Sequence, residues 1–220
     1  MKQESGMPIS RRLFIATLCC AAWLPAAAHA AANANHKDIL VVGDSLSAEY
    51  GLQRGSGWVG IVAEKLKSEK YGGAIHNASI SGDTTSGGRS RLPAALARYK
   101  PGIVILELGS NDALRGLSLK MTKDNLSAMT VEAQKAGARV LLVGMQIPSN
   151  YGRAYTEQFR DLFPQVAAAH HTGLVPFLME GMATNKALFQ ADGIHPNEQA
   201  QSILADNVWK HLKPMLGTGS

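Results

Sequence analysis

The chain has 220 residues, a length that fits one domain able to bury a hydrophobic core without metals or disulfides. Hydrophobic residues make up 45% and charged residues 18% of the sequence, which excludes an intrinsically disordered chain. The formal net charge is +5, and Lys2, Arg11 and Arg12 against Glu4 place +2 of it in residues 1–30. The remaining +3 is too small for the basic stripe that nucleic-acid binding requires.

The first 30 residues have the pattern of a cleavable export signal. Paired arginines at positions 11 and 12 precede an apolar run over residues 13–24, which is too short to span a bilayer comfortably. Residues 28–30 then supply a small–x–small cleavage site. We predict that residues 1–30 are removed and that the mature chain begins near Ala31. The alternative is a membrane anchor that stays attached after export.

The same segment bears on the route and the compartment. Residues 10–15 are similar to a twin-arginine signal, and Sec signals also carry paired basic residues, so both routes stay open. Cys19 and Cys20 lie inside the segment and do not form a lipoprotein signal. The mature chain would contain no cysteine, and hence no disulfide, thiol nucleophile or thiolate metal site. We expect a bacterial periplasmic or secreted protein whose stability depends on its core.

Short β-branched runs alternate with longer amphipathic stretches beyond residue 31. Runs that are apolar at consecutive positions are typical of parallel strands covered on both faces, and they occur at 39–42, 74–76, 103–106, 140–143 and 174–177. Helical patterns lie at 58–70, 87–99, 122–136, 154–170 and 197–212. Five βα units predict one three-layer α/β/α domain over residues 31–220, with a five-stranded, mostly parallel, flavodoxin-like sheet.

Polar clusters follow the first three predicted strands, and a fourth precedes the last helix. They occupy residues 43–47, 77–83, 109–112 and 192–196. In open α/β sheets ligands bind beyond the carboxyl ends of the strands, so we expect all four clusters at one rim of the sheet. They contain the serine, glycine, asparagine, aspartate and histidine residues that an acyl-transfer site needs.

These clusters make the chain similar to the SGNH, or GDSL-type, hydrolases. The shared motifs, in the family's order, are Gly43-Asp44-Ser45-Leu46-Ser47, Gly82, Gly109-x-Asn111-Asp112 and Asp192-x-x-His195-Pro196. Within the family, the chain most resembles the bacterial periplasmic group of multifunctional acyl-CoA thioesterases, lysophospholipases and arylesterases. It shares with that group a stretch over residues 148–153, Pro-x-Asn-Tyr-Gly-Arg. The match covers about residues 38–216.

The residues themselves indicate their roles. A serine hydroxyl is a poor nucleophile until an adjacent base takes its proton. His195 stands beside a carboxylate on the expected rim, and Asp192, three residues earlier, can hold its ring in one tautomer. The resemblance implies that Ser45 is the nucleophile. It also implies that the oxyanion hole consists of the Ser45 and Gly82 N–H groups and the Asn111 side-chain amide.

Each of these residues also has a plainer interpretation. Alone, Ser45 fits a turn or a helix cap, Asn111 fits a turn, and Asp192 with His195 fits a cap beside a surface residue. We interpret Asp44, Asp83 and Asp112 as structural groups that bind backbone N–H groups. The other histidines of the predicted mature chain are interpreted as surface or packing residues, namely His36, His76, His170, His171 and His211. No cluster has metal-ligand spacing, so neither a metal nor a cofactor is expected.

The predicted function is an exported serine esterase that hydrolyses acyl esters and thioesters through an acyl-enzyme on Ser45. Its partner would be a small-molecule or lipid acyl ester such as an aryl ester, a lysophospholipid or an acyl thioester, with no membrane-spanning segment left after processing. Ile147, Pro148 and Tyr151 are predicted to line the acyl pocket. The alternatives are a carbohydrate acetyl esterase with the same machinery and a non-catalytic, flavodoxin-like binding protein. The binding protein would leave Asp192 and His195 unexplained.

Overall fold

Five parallel strands form the central sheet of the computed structural model, which describes residues 37–217. The strands are β1 (Ile39–Gly43), β2 (Ile75–Asn77), β3 (Ile103–Glu107), β4 (Arg139–Val143) and β5 (Gly173–Val175). They lie in the order β2-β1-β3-β4-β5, and every neighbouring pair is parallel. This order confirms the predicted flavodoxin-like sheet.

Helices cover both faces of the sheet. They are α1 (Trp58–Ser68), α2 (Thr85–Tyr99), α3 (Ser110–Leu114), α4 (Leu119–Lys135), α5 (Arg153–His170) and α6 (Gln201–Leu212). Helices α1 and α6 pack against each other, while α4 packs against both α2 and α5. Because the two central strands β1 and β3 are fully buried between these layers, they are apolar at nearly every position, as a parallel core strand requires.

The observed boundaries depart from the predicted ones where backbone chemistry intervenes. The predicted fifth strand reached residue 177, whereas β5 ends at Val175, since Pro176 has no N–H to donate to the ladder. The predicted last helix began at residue 197, whereas the chain first forms a 3₁₀ turn, Glu198–Ala200, before α6. Helix α3 was not predicted, because its five residues are too few to show a helical period.

The fold brings the polar clusters to one rim. Gly43 and Glu107 are opposite each other at the carboxyl ends of β1 and β3, and the second cluster leaves the end of β2 beside them. The predicted export signal and His36 lie outside the described residues. Between residues 37 and 217, no helix combines the length and the apolar character that crossing a membrane demands.

Candidate active site

Ser45, Asp192 and His195 form a chain of hydrogen bonds at this rim. The Nε2 atom of His195 lies 2.9 Å from the Ser45 hydroxyl oxygen, although the two residues are 150 positions apart. The other ring nitrogen, Nδ1, lies 2.6 Å from Oδ2 of Asp192. With the Nδ1 proton donated to the carboxylate, Nε2 is left to accept the serine proton. The arrangement can therefore generate a nucleophilic serine.

A tight turn before α6 orients the histidine. Oδ1 of Asp192 accepts hydrogen bonds from the Ile194 N–H at 2.9 Å and from the His195 N–H at 3.0 Å, and Gly193 between them adopts a positive φ of 67°. These bonds, together with the one from the His195 ring, lower the pKa of Asp192 to about 2. The carboxylate thus remains ionised at any pH where an imidazole is neutral.

A tyrosine that no sequence motif indicates packs against this histidine. The ring of Tyr50 lies 4.5 Å from the His195 ring, centroid to centroid, and its carbonyl accepts a hydrogen bond from the Gln190 side chain at 2.8 Å. The contact restricts how far the imidazole can swing away from Ser45. No local pattern could have indicated it, because the two rings are far apart in the sequence.

The loop that carries Ser45 is a turn built on Asp44. The Asp44 carbonyl accepts hydrogen bonds from the Ser47 and Ala48 N–H groups, and its Oδ1 accepts one from the Leu46 N–H at 3.1 Å. This agrees with the structural role predicted for Asp44. The Ser45 N–H donates to no other residue in the described part of the chain, so it is available to a substrate.

The Gly82 N–H is likewise unused by other residues within 37–217. Gly82 has a positive φ of 79°, a conformation that favours glycine. Its loop is held from two sides. Arg115 donates to the Gly82 carbonyl at 2.7 Å, and Arg91 donates to the Asp83 carboxylate at 2.7 Å and to the Gly43 carbonyl at 3.1 Å.

Asn111 reaches the nucleophile loop from α3. Its side-chain nitrogen donates to Oδ2 of Asp44 at 3.0 Å, a contact that no sequence motif predicts. One amide N–H is occupied in this way, which orients the other, and the other donates to no residue that the structure describes. Burial raises the pKa of Asp44, the group that orients Asn111, to about 6.

Asp112 joins the second and third polar clusters. Its carboxylate accepts from the Thr85 N–H at 2.8 Å and from the Thr85 hydroxyl at 2.5 Å, and it is buried. This fits the structural interpretation made from the sequence. By joining the first turns of α2 and α3, the contact fixes the segments that carry Gly82 and Asn111 relative to each other.

The three residues predicted to line the acyl pocket lie in different environments. Ile147 is only 9% exposed and belongs to the hydrophobic core. Pro148 is exposed and precedes a 3₁₀ turn, Ser149–Tyr151. Tyr151 is 40% exposed, and its hydroxyl donates to the carbonyl of Leu114, the last residue of α3, at 3.4 Å. Pro148 and Tyr151 are therefore open to a ligand, whereas Ile147 is not.

Apolar side chains remain exposed around the candidate site. Apart from Met121 on α4, the large exposed ones among the described residues belong to the loops described above or to the segments next to them, namely Tyr50, Ile80, Leu117, Tyr151 and Ile194. A ligand-binding surface is a common reason for large apolar side chains to stay exposed. The rim thus suits a ligand that has an apolar part.

One of the histidines interpreted as a packing residue has a partner that the sequence did not reveal. His76, on β2, stacks on Tyr99 at a centroid distance of 4.4 Å, which agrees with a packing role. Its Nε2 also lies 2.8 Å from Oδ2 of Asp38. The pair spans 38 positions, so it forms no local motif.

Comparisons with known proteins agree with the geometry. Residues 41–203 match the model of the GDSL-like Lipase/Acylhydrolase family. Esterase TesA of Pseudomonas aeruginosa is 49% identical over 178 residues, which are 81% of this chain and 89% of that protein. Thioesterase 1/protease 1/lysophospholipase L1 of Escherichia coli K12 is 39% identical over 83% of this chain and 86% of its own length.

Solved structures share the fold. The crystal structure of TesA superposes with a TM-score of 0.79 at 49% identity, covering 81% of this chain and 99% of that one. The psychrotrophic esterase EstA from Pseudoalteromonas sp., in a structure inhibited by monoethylphosphonate, gives a TM-score of 0.78 at 39% identity, covering 83% and 100% of the two chains. The chain belongs to the GDSL-like lipase/acylhydrolase family, the SGNH hydrolases that its four motifs resemble.

Proposed function

We propose that this protein is a serine hydrolase of carboxylic esters and thioesters in which Ser45 forms the acyl-enzyme. The Ser45 oxygen attacks the acyl carbonyl carbon while Nε2 of His195 takes the hydroxyl proton. When the tetrahedral intermediate collapses, the bond to the leaving oxygen or sulfur breaks, and His195 gives that atom the proton. A water molecule then attacks the acyl-enzyme, with His195 as its base, and releases the carboxylic acid and free Ser45.

Three N–H groups are proposed to stabilise the negative charge on the carbonyl oxygen. The Ser45 and Gly82 N–H groups and the second N–H of Asn111 donate to no other residue of the described chain. Donors held in place before the reaction cost nothing to reorganise as charge develops, so each is worth about 10²–10³ in turnover. Asp192 contributes by holding the His195 ring and by stabilising the imidazolium that forms.

The single observation that supports this proposal best is the 2.9 Å contact between the Ser45 hydroxyl and His195, whose ring is held by Asp192. The test is covalent labelling with an alkyl phosphonate ester, followed by peptide mass spectrometry. We expect the label on Ser45, and we expect Ser45→Ala to lose both labelling and hydrolysis while keeping its fold. Ser127→Ala, on α4, is the matched control. A label on any other serine would refute the assignment.

The substrate class is proposed to be acyl esters with an apolar acyl group. The exposed apolar rim favours aryl esters, lysophospholipids and acyl thioesters, and the names of the relatives, an esterase and a thioesterase/lysophospholipase, point the same way. A panel of nitrophenyl esters from acetate to palmitate, with a lysophospholipid and an acetylated sugar, tests this. Preference for the acetylated sugar would favour the carbohydrate esterase instead.

Export is the last part of the proposal. Residues 1–30 are proposed to be a cleaved signal, which leaves a single hydrolase domain from residue 31 in the periplasm or outside the cell. The support is the sequence pattern of paired arginines, apolar run and small–x–small site. The mass of the protein recovered from the periplasm tests it. A mass that still includes Cys19 and Cys20, or a lipid, would contradict it.

A further inference from the structure

A second acidic side chain lies beneath the nucleophile loop, and the reaction proposed above does not use it. Glu107 is the last residue of β3 and is fully buried. Ionised carboxylates are rarely buried without a cation beside them. No lysine, arginine or histidine in residues 37–217 forms an ion pair with Glu107. Its location therefore needs a different explanation from charge pairing.

The contacts of Glu107 fall on both sides of Ser45. Its Oε2 accepts a hydrogen bond of 2.7 Å from the Ser47 hydroxyl and one of 3.4 Å from the Asp44 N–H. Ser47 is itself buried, so water does not compete for the shorter bond. One carboxyl oxygen at the end of β3 thus holds the chain immediately before and shortly after the nucleophile.

Gly43 lies so close to this carboxyl that position 43 has no room for a side chain. A Cβ atom at Gly43 would lie 2.8 Å from Oε2 of Glu107 and 2.7 Å from the Ser47 hydroxyl oxygen, both closer than unbonded atoms allow. Any side chain at position 43 would push the acid and the loop apart. The first glycine of the Gly-Asp-Ser motif is therefore explained by close contact with Glu107.

The surroundings of Glu107 favour its neutral form. Its second oxygen, Oε1, has no hydrogen-bond partner among the described residues, and the neighbouring carboxyl of Asp44 is also buried. Burial and the charge of Asp44 raise the pKa of Glu107 well above its ordinary value. Asp44 receives hydrogen bonds from Leu46 and Asn111, so it is the member of the pair that carries the negative charge.

We propose that Glu107 is a positioning residue for ester hydrolysis. As a neutral acid it ties the residues on either side of Ser45 to the end of β3, which keeps the Ser45 hydroxyl within reach of His195. The proposal rests on the role proposed for Ser45. A packing role would require only a side chain of the right volume. The positioning role requires a hydrogen-bond acceptor at the position of Oε2, and it requires no charge there.

The test compares two variants of similar size. Glu107→Gln keeps an acceptor for Ser47 and Asp44 without an ionisable group, so we expect kcat, KM and the pH profile of nitrophenyl ester hydrolysis to stay close to those of the wild type. Glu107→Leu keeps the volume and removes the acceptor. We expect kcat to fall about 10²-fold with little change in KM, as for other small misplacements of a reacting group.

Ser47→Ala provides a second route to the same contact in case Glu107→Leu does not fold. It removes only the hydroxyl that Glu107 accepts from, so its kcat should also fall. The double variant with Glu107→Leu should lose little more than either single variant, because both break one link. Equal thermal stability of Glu107→Gln and wild type, measured alongside, shows that the comparison concerns folded enzyme.

Two results would overturn the proposal. If Glu107→Gln loses as much kcat as Glu107→Leu, the ionised carboxylate is what matters. If Ser47→Ala and folded Glu107→Leu react with an alkyl phosphonate at the wild-type rate, Glu107 does not position the nucleophile. A failure of the Ser45 assignment is a separate outcome, because the wild-type enzyme itself would then carry the phosphonate on another residue.

Discussion

The described chain contains two Asp–His pairs that are nearly alike in isolation. Asp192 and His195 meet at 2.6 Å, and Asp38 and His76 meet at 2.8 Å. The histidine side chains are 20% and 30% exposed, and both aspartates are 37% exposed. A tyrosine ring packs on each imidazole, at 4.5 Å and 4.4 Å between centroids. Neither pair distance, nor exposure, nor aromatic contact separates a candidate active site from a structural pair.

The second ring nitrogen separates the two pairs. In His195 it lies 2.9 Å from the Ser45 hydroxyl, whereas the other nitrogen of His76 contacts no hydrogen-bonding group within residues 37–217. The fold accounts for the difference. Asp38 precedes β1 at the amino ends of the strands, while Ser45 follows β1 at the carboxyl ends, where the loops gather. An Asp–His pair becomes a catalytic base only where the topology delivers a nucleophile to it.

Replacing each histidine gives the largest expected contrast. His195→Ala removes the base for Ser45, and the loss in kcat should be on the order of 10⁵–10⁶-fold, as for other triads that lose their histidine. His76→Ala should leave kcat unchanged and lower only the thermal stability, because it removes the stacking on Tyr99. Steady-state hydrolysis of a nitrophenyl ester measures both. A comparable loss in the two variants would mean that the pairs do not differ as inferred.

Replacing each aspartate should produce a smaller contrast. Asp192→Asn keeps the shape but permits the wrong histidine tautomer, which costs about 10⁴ in kcat in the known case, while Asp38→Asn should leave kcat unchanged.

The hydrogen bonds at Asp192 lower its pKa from 3.8 to about 2, so its stabilisation of the fold is complete above pH 3.8 and is lost as the pH falls through 2. Thermal unfolding measured from pH 2 to 7 should therefore show that the melting temperatures of Asp192→Asn and the wild type converge only at the acid end.

The sequence predicted most of what is local or periodic. The buried strands were identified because parallel core strands are apolar at consecutive positions. Asp192 and His195 were predicted as a pair because they lie three residues apart before a helix, and Ser45 was predicted as the nucleophile because its motif resembles that of a known family. The contacts that were missed join distant segments. Glu107 accepts from Ser47 across 60 positions, and Asp38 meets His76 across 38. A glutamate directly continuing an otherwise apolar strand was the one available signal for Glu107.

Spatial packing explains the remaining discrepancies. Ile147 was grouped with Tyr151 as pocket lining because both lie in the loop after β4, yet the structure buries Ile147 in the core and leaves Tyr151 exposed. Sequence spacing gives the loop but not the direction of each side chain. The same limit hid Tyr50, which reaches His195 only after the first and last polar clusters meet.

The smallest expected effect concerns the preference for the length of the acyl chain of the substrate. If Tyr151 lines the acyl pocket, kcat/KM should rise from acetate to medium-chain esters by up to about fourfold per methylene, since burying one is worth roughly 0.8 kcal/mol. Tyr151→Ala should flatten this rise and change acetate hydrolysis little, because the tyrosine hydroxyl bonds to Leu114 and not to Ser45, Asp192 or His195. Tyr151→Phe is the matched control, since it loses only the hydrogen bond to Leu114.

Ile147 should respond differently from Tyr151 because it is buried. Ile147→Ala is expected chiefly to lower the free energy of unfolding, by about 2–5 kcal/mol, as core truncations do. Its kinetics must therefore be measured well below its melting temperature. If Tyr151→Ala loses acetate and longer esters equally, the 147–151 loop supports the geometry around α3 through the contact with Leu114, and the acyl group binds elsewhere. If Tyr151→Phe also flattens the rise, that hydrogen bond, more than the ring, sets the length preference.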